Sequence, residues 1–113
     1  MLDLAPSICR QRLVIEAYPK KAITDQDIKK YLSELSVVID MKQLIEPVTH
    51  NCEKFGWAGW IHWETSGAHF YAWERPILFY SVDIYTCKAF DPLAAVEFTK
   101  KFFDSDSIEY KEF

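Results

Sequence analysis

A two-layer α+β sandwich, an antiparallel or mixed sheet with two helices on one face, is the fold this sequence predicts, and three observations carry it. The elements read in the order β-α-β-β-β-β-α-β, the strands alternate so that each has one apolar face, and two segments with helical spacing each begin at a capping residue. The 113 residues are expected to form one domain over 1–113, since domains commonly run to roughly 100–150 residues. With 50% hydrophobic and 27% charged residues, the chain has the balance of a foldable globular protein.

The first strand is Leu13 to Tyr18, with Leu13, Ile15 and Ala17 on one face and Val14, Glu16 and Tyr18 on the other. After Pro19, Thr24 is placed to cap a helix with Asp25 and Asp27 in its first turn. Ile28, Tyr31, Leu32 and Leu35 then recur at helical spacing over about three to four turns. Met41 to Thr49 reads as the second strand. Trp57 to Ser66 and Ala68 to Trp73 read as the next two, joined tightly at Gly67, where positive φ is free of steric penalty. Leu78 to Cys87 is the clearest strand. Asp91-Pro92 opens the second helix, with proline in the first turn where its missing N–H is harmless and Leu93, Val96, Phe102 and Phe103 as the buried stripe. Ser107 to Glu112 closes the sheet.

Alternation sorts the two faces. Leu78, Val82 and Ile84, with Trp57, Gly59, Ile61, Trp63, Phe70 and Ala72, suit the helix side. The helix-free face gathers Glu16, His62, Glu64, Ser66, His69, Tyr71, Asp83 and Cys87, with Trp60, Trp73 and Tyr85 among them. Such a face is too aromatic to stay wet and too polar to be a dry core, so both a dimer contact and a ligand groove are expected there. Rings beside carboxylates suit a flat or cationic ligand, through stacking and cation–π attraction of ~0.5–2 kcal/mol each. The composition points to the same place: all three glycines and all four tryptophans fall between Gly56 and Trp73.

A net charge of −4 argues against a nucleic-acid partner, and Lys20–Lys21, Lys29–Lys30 and Lys100–Lys101 are isolated pairs rather than a stripe. No apolar run reaches the ~20 residues of a membrane span, and Met1 to Ser7 lacks the layout of a signal peptide, so a cytoplasmic location is expected. Cys9, Cys52 and Cys87 are odd in number and lack CxxC spacing, so reduced thiols and no metal site are expected. Taken alone, Ser66 is as readily a polar residue before a glycine turn, Cys87 a small buried side chain, Glu16 an interface carboxylate and the tryptophan cluster a dimer core.

These residues, in this order, resemble the short prokaryotic S-adenosylmethionine decarboxylases, pyruvoyl enzymes of polyamine synthesis, over nearly the whole chain from Arg12 to Tyr110. The likeness rests on Glu16, His50, Phe55-Gly56, Gly59, Ser66, Trp73, the segment Asp83-Ile84-Tyr85-Thr86-Cys87, and Asp91-Pro92. It implies a homodimer covering the helix-free face, and a Ser66 that attacks the Thr65 carbonyl. The resulting ester eliminates, leaving a second chain that begins with a pyruvoyl group, whose ketone condenses with a substrate amine and draws electrons from the carbon that loses CO₂. Cys87 falls on the proton donor of the family, and a thiol is a serviceable acid near neutral pH. Substrate binding by Glu16, Trp60, Glu64, Trp73 and Asp83 is expected, with S-adenosylmethionine or a related amino acid as the small-molecule substrate and no metal.

The chain also departs from the family. Thr65-Ser66-Gly67 stands where the family reads Glu-Ser-His, Tyr71 stands in place of the catalytic His, Ala58 in place of the Ser that assists processing, and the tail Tyr110-Lys111-Glu112-Phe113 lacks the His-Glu-Arg-Gly ending. His69 lies on the same face to take over the lost base. Two functions therefore stand side by side: a decarboxylase cut between Thr65 and Ser66, or an uncleaved relative that binds ligand or regulates, alone or beside an active paralogue. A purely structural dimer is the third.

Overall fold

Two capped helices lie across one face of a six-stranded antiparallel sheet, as the sequence predicts. The computed structural model describes residues 1–113. In chain order the elements are β1 (Gln11–Ala17), α1 (Asp25–Val38), β2 (Val48–Cys52), β3 (Gly56–Trp63), β4 (Ser66–Trp73), β5 (Phe79–Thr86), α2 (Pro92–Phe102) and β6 (Ile108–Glu112). The strands are ordered β2-β3-β4-β5-β1-β6, so the first strand of the chain lies between the fifth and the last.

Local chemistry sets the helix starts. The Thr24 hydroxyl accepts from the Asp27 N–H, the Asp27 carboxylate accepts from the Thr24 N–H, and together they form a capping box. Asp91 caps α2 by accepting from the Leu93 and Ala94 N–H groups, with Pro92 following it. The buried stripe of α2 is Ala95, Val96 and Thr99, continued by Phe103; Leu93, expected in it, is exposed. Leu93 is the second residue of the helix, and at that open end it is 57% exposed.

The core lies between the layers. Leu13 and Ile15 of β1, Ile61 and Trp63 of β3, Phe70 of β4, and Val82 and Ile84 of β5 meet Ile28, Tyr31, Leu32 and Leu35 of α1. Its polar atoms are paired. Trp63 Nε1–H donates to Ser36 Oγ at 2.7 Å, and that hydroxyl donates to the Leu32 carbonyl at 2.8 Å. The Tyr31 hydroxyl meets Thr99 Oγ1 at 2.7 Å, and the Tyr80 hydroxyl meets Ser105 Oγ at 2.9 Å. Burial pushes both phenols above their ordinary range. Gly56, at φ +141°, lets β3 begin against β4: a Cβ there would lie 2.4 Å from the Ala72 carbonyl oxygen.

Strand boundaries differ from expectation at β1, which runs Gln11–Ala17 rather than Leu13 to Tyr18, at the start of β2, and at the β3–β4 turn, and the last matters for the site. The strand expected from Met41 to Thr49 begins only at Val48; residues 41–47 touch the sheet through one bridge, Gln43 to Trp63. Pro47 has no N–H for the ladder, and Leu44 and Ile45 point to solvent, so the alternation is broken there. The β3–β4 turn is Glu64-Thr65 rather than Gly67, because Trp63 pairs directly with Ser66 and closes a two-residue loop. Gly67 lies within β4 and does not take positive φ. The displaced turn flips Ser66 to the opposite face from the one alternation along β3 assigned it. Its cross-strand neighbours Trp63 and Thr86 are fully buried, so Ser66 joins the buried row at the very end of the sheet, 8% exposed, where it still borders the cleft of the other face.

Candidate functional site

The helix-free face has the aromatic and polar make-up the alternation predicts. Trp60, Tyr71 and Tyr85 are 40%, 38% and 50% exposed. A chain of ring contacts runs along one flank: His69 to Tyr71 (6.1 Å between centroids), Tyr71 to Trp73 (5.9 Å), Trp73 to Phe79 (5.3 Å) and Phe79 to Tyr18 (6.4 Å). Cross-strand register sets the rows. Trp60, His69 and Asp83 lie abreast on β3, β4 and β5, while Ala58, Tyr71, Ser81 and Glu16 form the neighbouring row.

A cleft of about 860 Å³ opens at the hairpin end of this face. Of the residues singled out in the sequence, Trp60, His62, Glu64, Thr65, Ser66, His69, Asp83, Tyr85 and Cys87 line it, whereas Glu16, Tyr71 and Trp73 lie farther along the face, outside it. Glu16 sits beside Ser81 and the like-charged Glu109. Glu64 is ion-paired with Lys42 at 3.3 Å. The Tyr71 hydroxyl meets His69 Nδ1 at 3.2 Å, and Ala58 is the cross-strand neighbour of Tyr71. The two positions at which the sequence departs from the pattern it resembles are therefore neighbours in space.

The hairpin end is held by one backbone donor. The Cys87 N–H donates to the Thr65 carbonyl oxygen at 3.1 Å and to Ser66 Oγ at 3.2 Å, and Ser66 Oγ also meets Thr65 Oγ1 at 3.0 Å. The loop after Cys87 is fixed in turn by Gln11, whose side-chain amide donates to the Phe90 carbonyl (3.0 Å) while its oxygen accepts the Phe90 N–H (3.1 Å).

Sequence reasoning missed Arg12. Its guanidinium grips Asp83 with Nε to Oδ1 at 3.0 Å and Nη2 to Oδ2 at 2.9 Å, and Phe113 covers it at 4.7 Å from the ring centroid. The bonded carboxylate raises the guanidinium above its ordinary pKa. Asp83, expected to bind substrate, thus already has a cation. The signal was available: starting the first strand at Gln11 puts Arg12 on the same face as Val14 and Glu16. Gln11 gave no such signal, since its partner lies 79 residues away. No three His, Cys, Asp or Glu side chains gather as a metal site, and no helix is long and apolar enough to cross a membrane.

A six-stranded antiparallel sheet backed by two helices, with a serine at a hairpin turn beside a strand-end cysteine, defines a narrow structural class. Residues 11–113 match the S-adenosylmethionine decarboxylase family, and the chain belongs to it. Among solved structures it is similar to the adenosylmethionine decarboxylase from Aquifex aeolicus, with a TM-score of 0.75 at 15% identity, covering 94% of this chain and 89% of that one. At that identity the likeness is one of fold. No curated protein matches the chain.

Proposed function

We propose that the chain is a divergent pyruvoyl-dependent decarboxylase that cuts itself between Thr65 and Ser66 and acts in the cytoplasm on S-adenosylmethionine or a related amino acid of polyamine synthesis. One observation carries this reading: the Cys87 N–H bonds both the Thr65 carbonyl oxygen and Ser66 Oγ. A donor on a carbonyl oxygen draws density from its carbon and meets the charge that grows there during attack. The same donor holds the attacking hydroxyl beside that carbon.

In this reaction Ser66 Oγ bonds the Thr65 carbonyl carbon, the C–N bond between the two residues breaks, and the hydroxyl proton passes to the freed nitrogen. Loss of the Ser66 Cα proton then breaks the Cβ–Oγ bond and releases Thr65 as a carboxylate. Water displaces the nitrogen of residue 66 as ammonia and leaves a ketone. The residues around the hairpin suit such a group, because Thr65, Ser66 and Cys87 all line the cleft. Once formed, the pyruvoyl ketone supplies an electron sink. The chain supplies the rest: Cys87 as proton donor, Trp60 as a stacking surface, Glu64 and Asp83 with its Arg12 as polar walls, and His69 as the base.

Tyr71 lies five residues along β4 from Ser66, ~17 Å in extended chain. It can serve a Ser66 only from a second copy laid on the open face, as can Trp73 and Glu16, and this supports a homodimer. Intact-mass measurement of fresh protein tests the proposal. Two fragments divided at Thr65–Ser66, absent from Ser66→Ala, are expected; a chain of constant full-length mass refutes it.

One observation favours the uncleaved relative as a second reading. Ser66 Oγ has only Thr65 Oγ1 and the Cys87 N–H as hydrogen-bond partners, and neither is a base. Such a protein binds ligand or regulates as a dimer, or pairs with an active paralogue. In that case S-adenosylmethionine raises the melting temperature of Ser66→Ala as much as that of the parent chain.

A further inference from the structure

The sheet has two edges, and the one made by β6 is chemically matched to itself. β6 stands last in the sheet order and pairs only with β1. The Phe113 N–H donates to the Arg12 carbonyl at 3.1 Å, so Glu109, Lys111 and Phe113 turn their backbone groups toward β1. Those of Ile108, Tyr110 and Glu112 point out from the sheet, a row of donors and acceptors with no strand to receive them. Glu109 stands opposite Glu16 and Lys111 opposite Val14, so both charged side chains lie on the helix-free face. Both are exposed, and neither they nor Glu16 join an ion pair within the chain. Two carboxylates directly across a ladder repel, and the Glu16–Glu109 pair has no cation beside it.

A second copy laid antiparallel along this edge must match outward-pointing residues to outward-pointing residues, which leaves a register centred on Glu109, Tyr110 or Lys111. Centred on Glu109 or Lys111, a charge faces its own copy across the two-fold axis. Centred on Tyr110, all five residues of the strand pair. Tyr110 then meets the partner's Tyr110, Ile108 meets the partner's Glu112, and Glu109 meets the partner's Lys111. The symmetry makes the Glu109–Lys111 contact twice, at non-hydrogen-bonded positions where side chains approach most closely. It also sets the partner's Lys111 at the end of the row Glu16–Glu109, supplying the cation that row lacks. The opposite edge, β2, begins after Pro47 and holds no Asp, Glu, Lys or Arg, so it carries no such pattern.

We propose that β6 is an interface strand, which pairs with the β6 of a second copy about a two-fold axis through Tyr110 and joins two six-stranded sheets into one continuous sheet. This contact is separate from a homodimer on the open face, and it rests neither on self-cleavage nor on ligand binding.

Sedimentation equilibrium of the full-length chain tests it, in a concentration series reaching roughly 100 μM. Self-association is expected, and Tyr110→Pro abolishes it at this edge, because proline removes an outward N–H and leaves the β1 ladder intact. Glu109→Lys and Lys111→Glu each oppose like charges twice and weaken association roughly tenfold or more. Mixed in equal amounts, these two variants associate again, since every Lys then meets a Glu, and the double variant Glu109→Lys/Lys111→Glu associates by itself. Parent-like melting temperatures show that the exposed substitutions spare the fold. Where the open-face dimer also forms, the parent is a tetramer and the edge variants stop at a dimer. A chain monomeric throughout the series overturns the proposal, as does an assembly that Tyr110→Pro and both charge variants leave unchanged. A mixture that associates no better than its components overturns the register. Failure of the decarboxylase reading shows instead as an uncut chain by intact mass, whatever the assembly.

Discussion

Adding one methyl group at Gly59 tests how closely α1 is laid on the sheet. Gly59 faces α1 from β3, and a Cβ built on it lies 2.6 Å from Ile28 Cγ2 and 3.1 Å from the Val48 carbonyl oxygen. Carbon atoms rest at ~3.5–4.0 Å, so in Gly59→Ala the helix must lift by roughly 1 Å or Ile28 must leave its rotamer. Overpacking of this kind costs ~1–3 kcal/mol, against which the reduced freedom of the unfolded chain returns ~0.4–1 kcal/mol. The net loss is roughly 1–2 kcal/mol, a fall in Tm of roughly 5–10 °C for a chain of this length. Urea titration of Gly59→Ala, Ile28→Ala and the double variant measures it. Ile28→Ala alone opens a cavity and costs ~2–5 kcal/mol; in its background the methyl of Gly59→Ala fills space and is neutral or stabilising. The cycle should return a coupling of about 1–2 kcal/mol. Gly59→Ala as stable as the parent chain, or the same loss in both backgrounds, refutes the close-packing argument.

Alkaline pH probes the buried phenols. Tyr31 and Tyr80 keep their protons in the folded chain beyond the ~10 at which unfolded tyrosines ionise. Above that pH the unfolded state binds fewer protons than the folded one. Their contribution to stability is therefore flat below about pH 10 and falls above it, by up to ~1.4 kcal/mol per pH unit per tyrosine. Urea titrations of the parent chain and Tyr31→Phe across that range check this, and an unchanged slope in Tyr31→Phe counts against it. Thr24→Ala removes the hydroxyl half of the α1 capping box and should lower stability by ~1 kcal/mol, whereas Thr24→Ser should be nearly silent. Gln11→Ala unhooks both Phe90 backbone groups and loses ~1–3 kcal/mol. Faster hydrogen exchange at the Phe90 and Cys87 amides should accompany that loss, and unchanged exchange there would show that Gln11 does not hold the loop.

Most of the architecture was legible because its signals are local. Thr24 and Asp91 announce their helices through side-chain oxygens that reach only three residues ahead, and the β5 alternation from Tyr80 to Thr86 reads directly as a buried row. The hairpin turn was misplaced because glycine is the strongest turn signal in the sequence, while the turn itself was fixed by pairing across the strands, Trp63 to Ser66 and Ser66 to Thr86, which no single segment encodes. That one shift carried Ser66 to the other face. The grouping of Trp60, His69 and Asp83 followed from alternation, but the Arg12–Asp83 pair joins residues 71 positions apart and depended on where β1 begins. Tyr71 and Trp73 share a face with the cleft residues, yet the rise of an extended strand sets them beyond its rim.

The strand order has a consequence for the fate of a chain broken at its hairpin. A nick between Thr65 and Ser66 leaves one piece owning β1, β2 and β3 and another owning β4, β5 and β6. Because the order is β2-β3-β4-β5-β1-β6, the pieces alternate across the sheet, and β1 is clasped between β5 and β6 of the other piece. Three ladders, β3–β4, β5–β1 and β1–β6, cross from one piece to the other. Neither piece can leave without tearing the middle of the sheet. The fold is so woven that a severed backbone remains one body, with the fresh chain end held in place at the cleft.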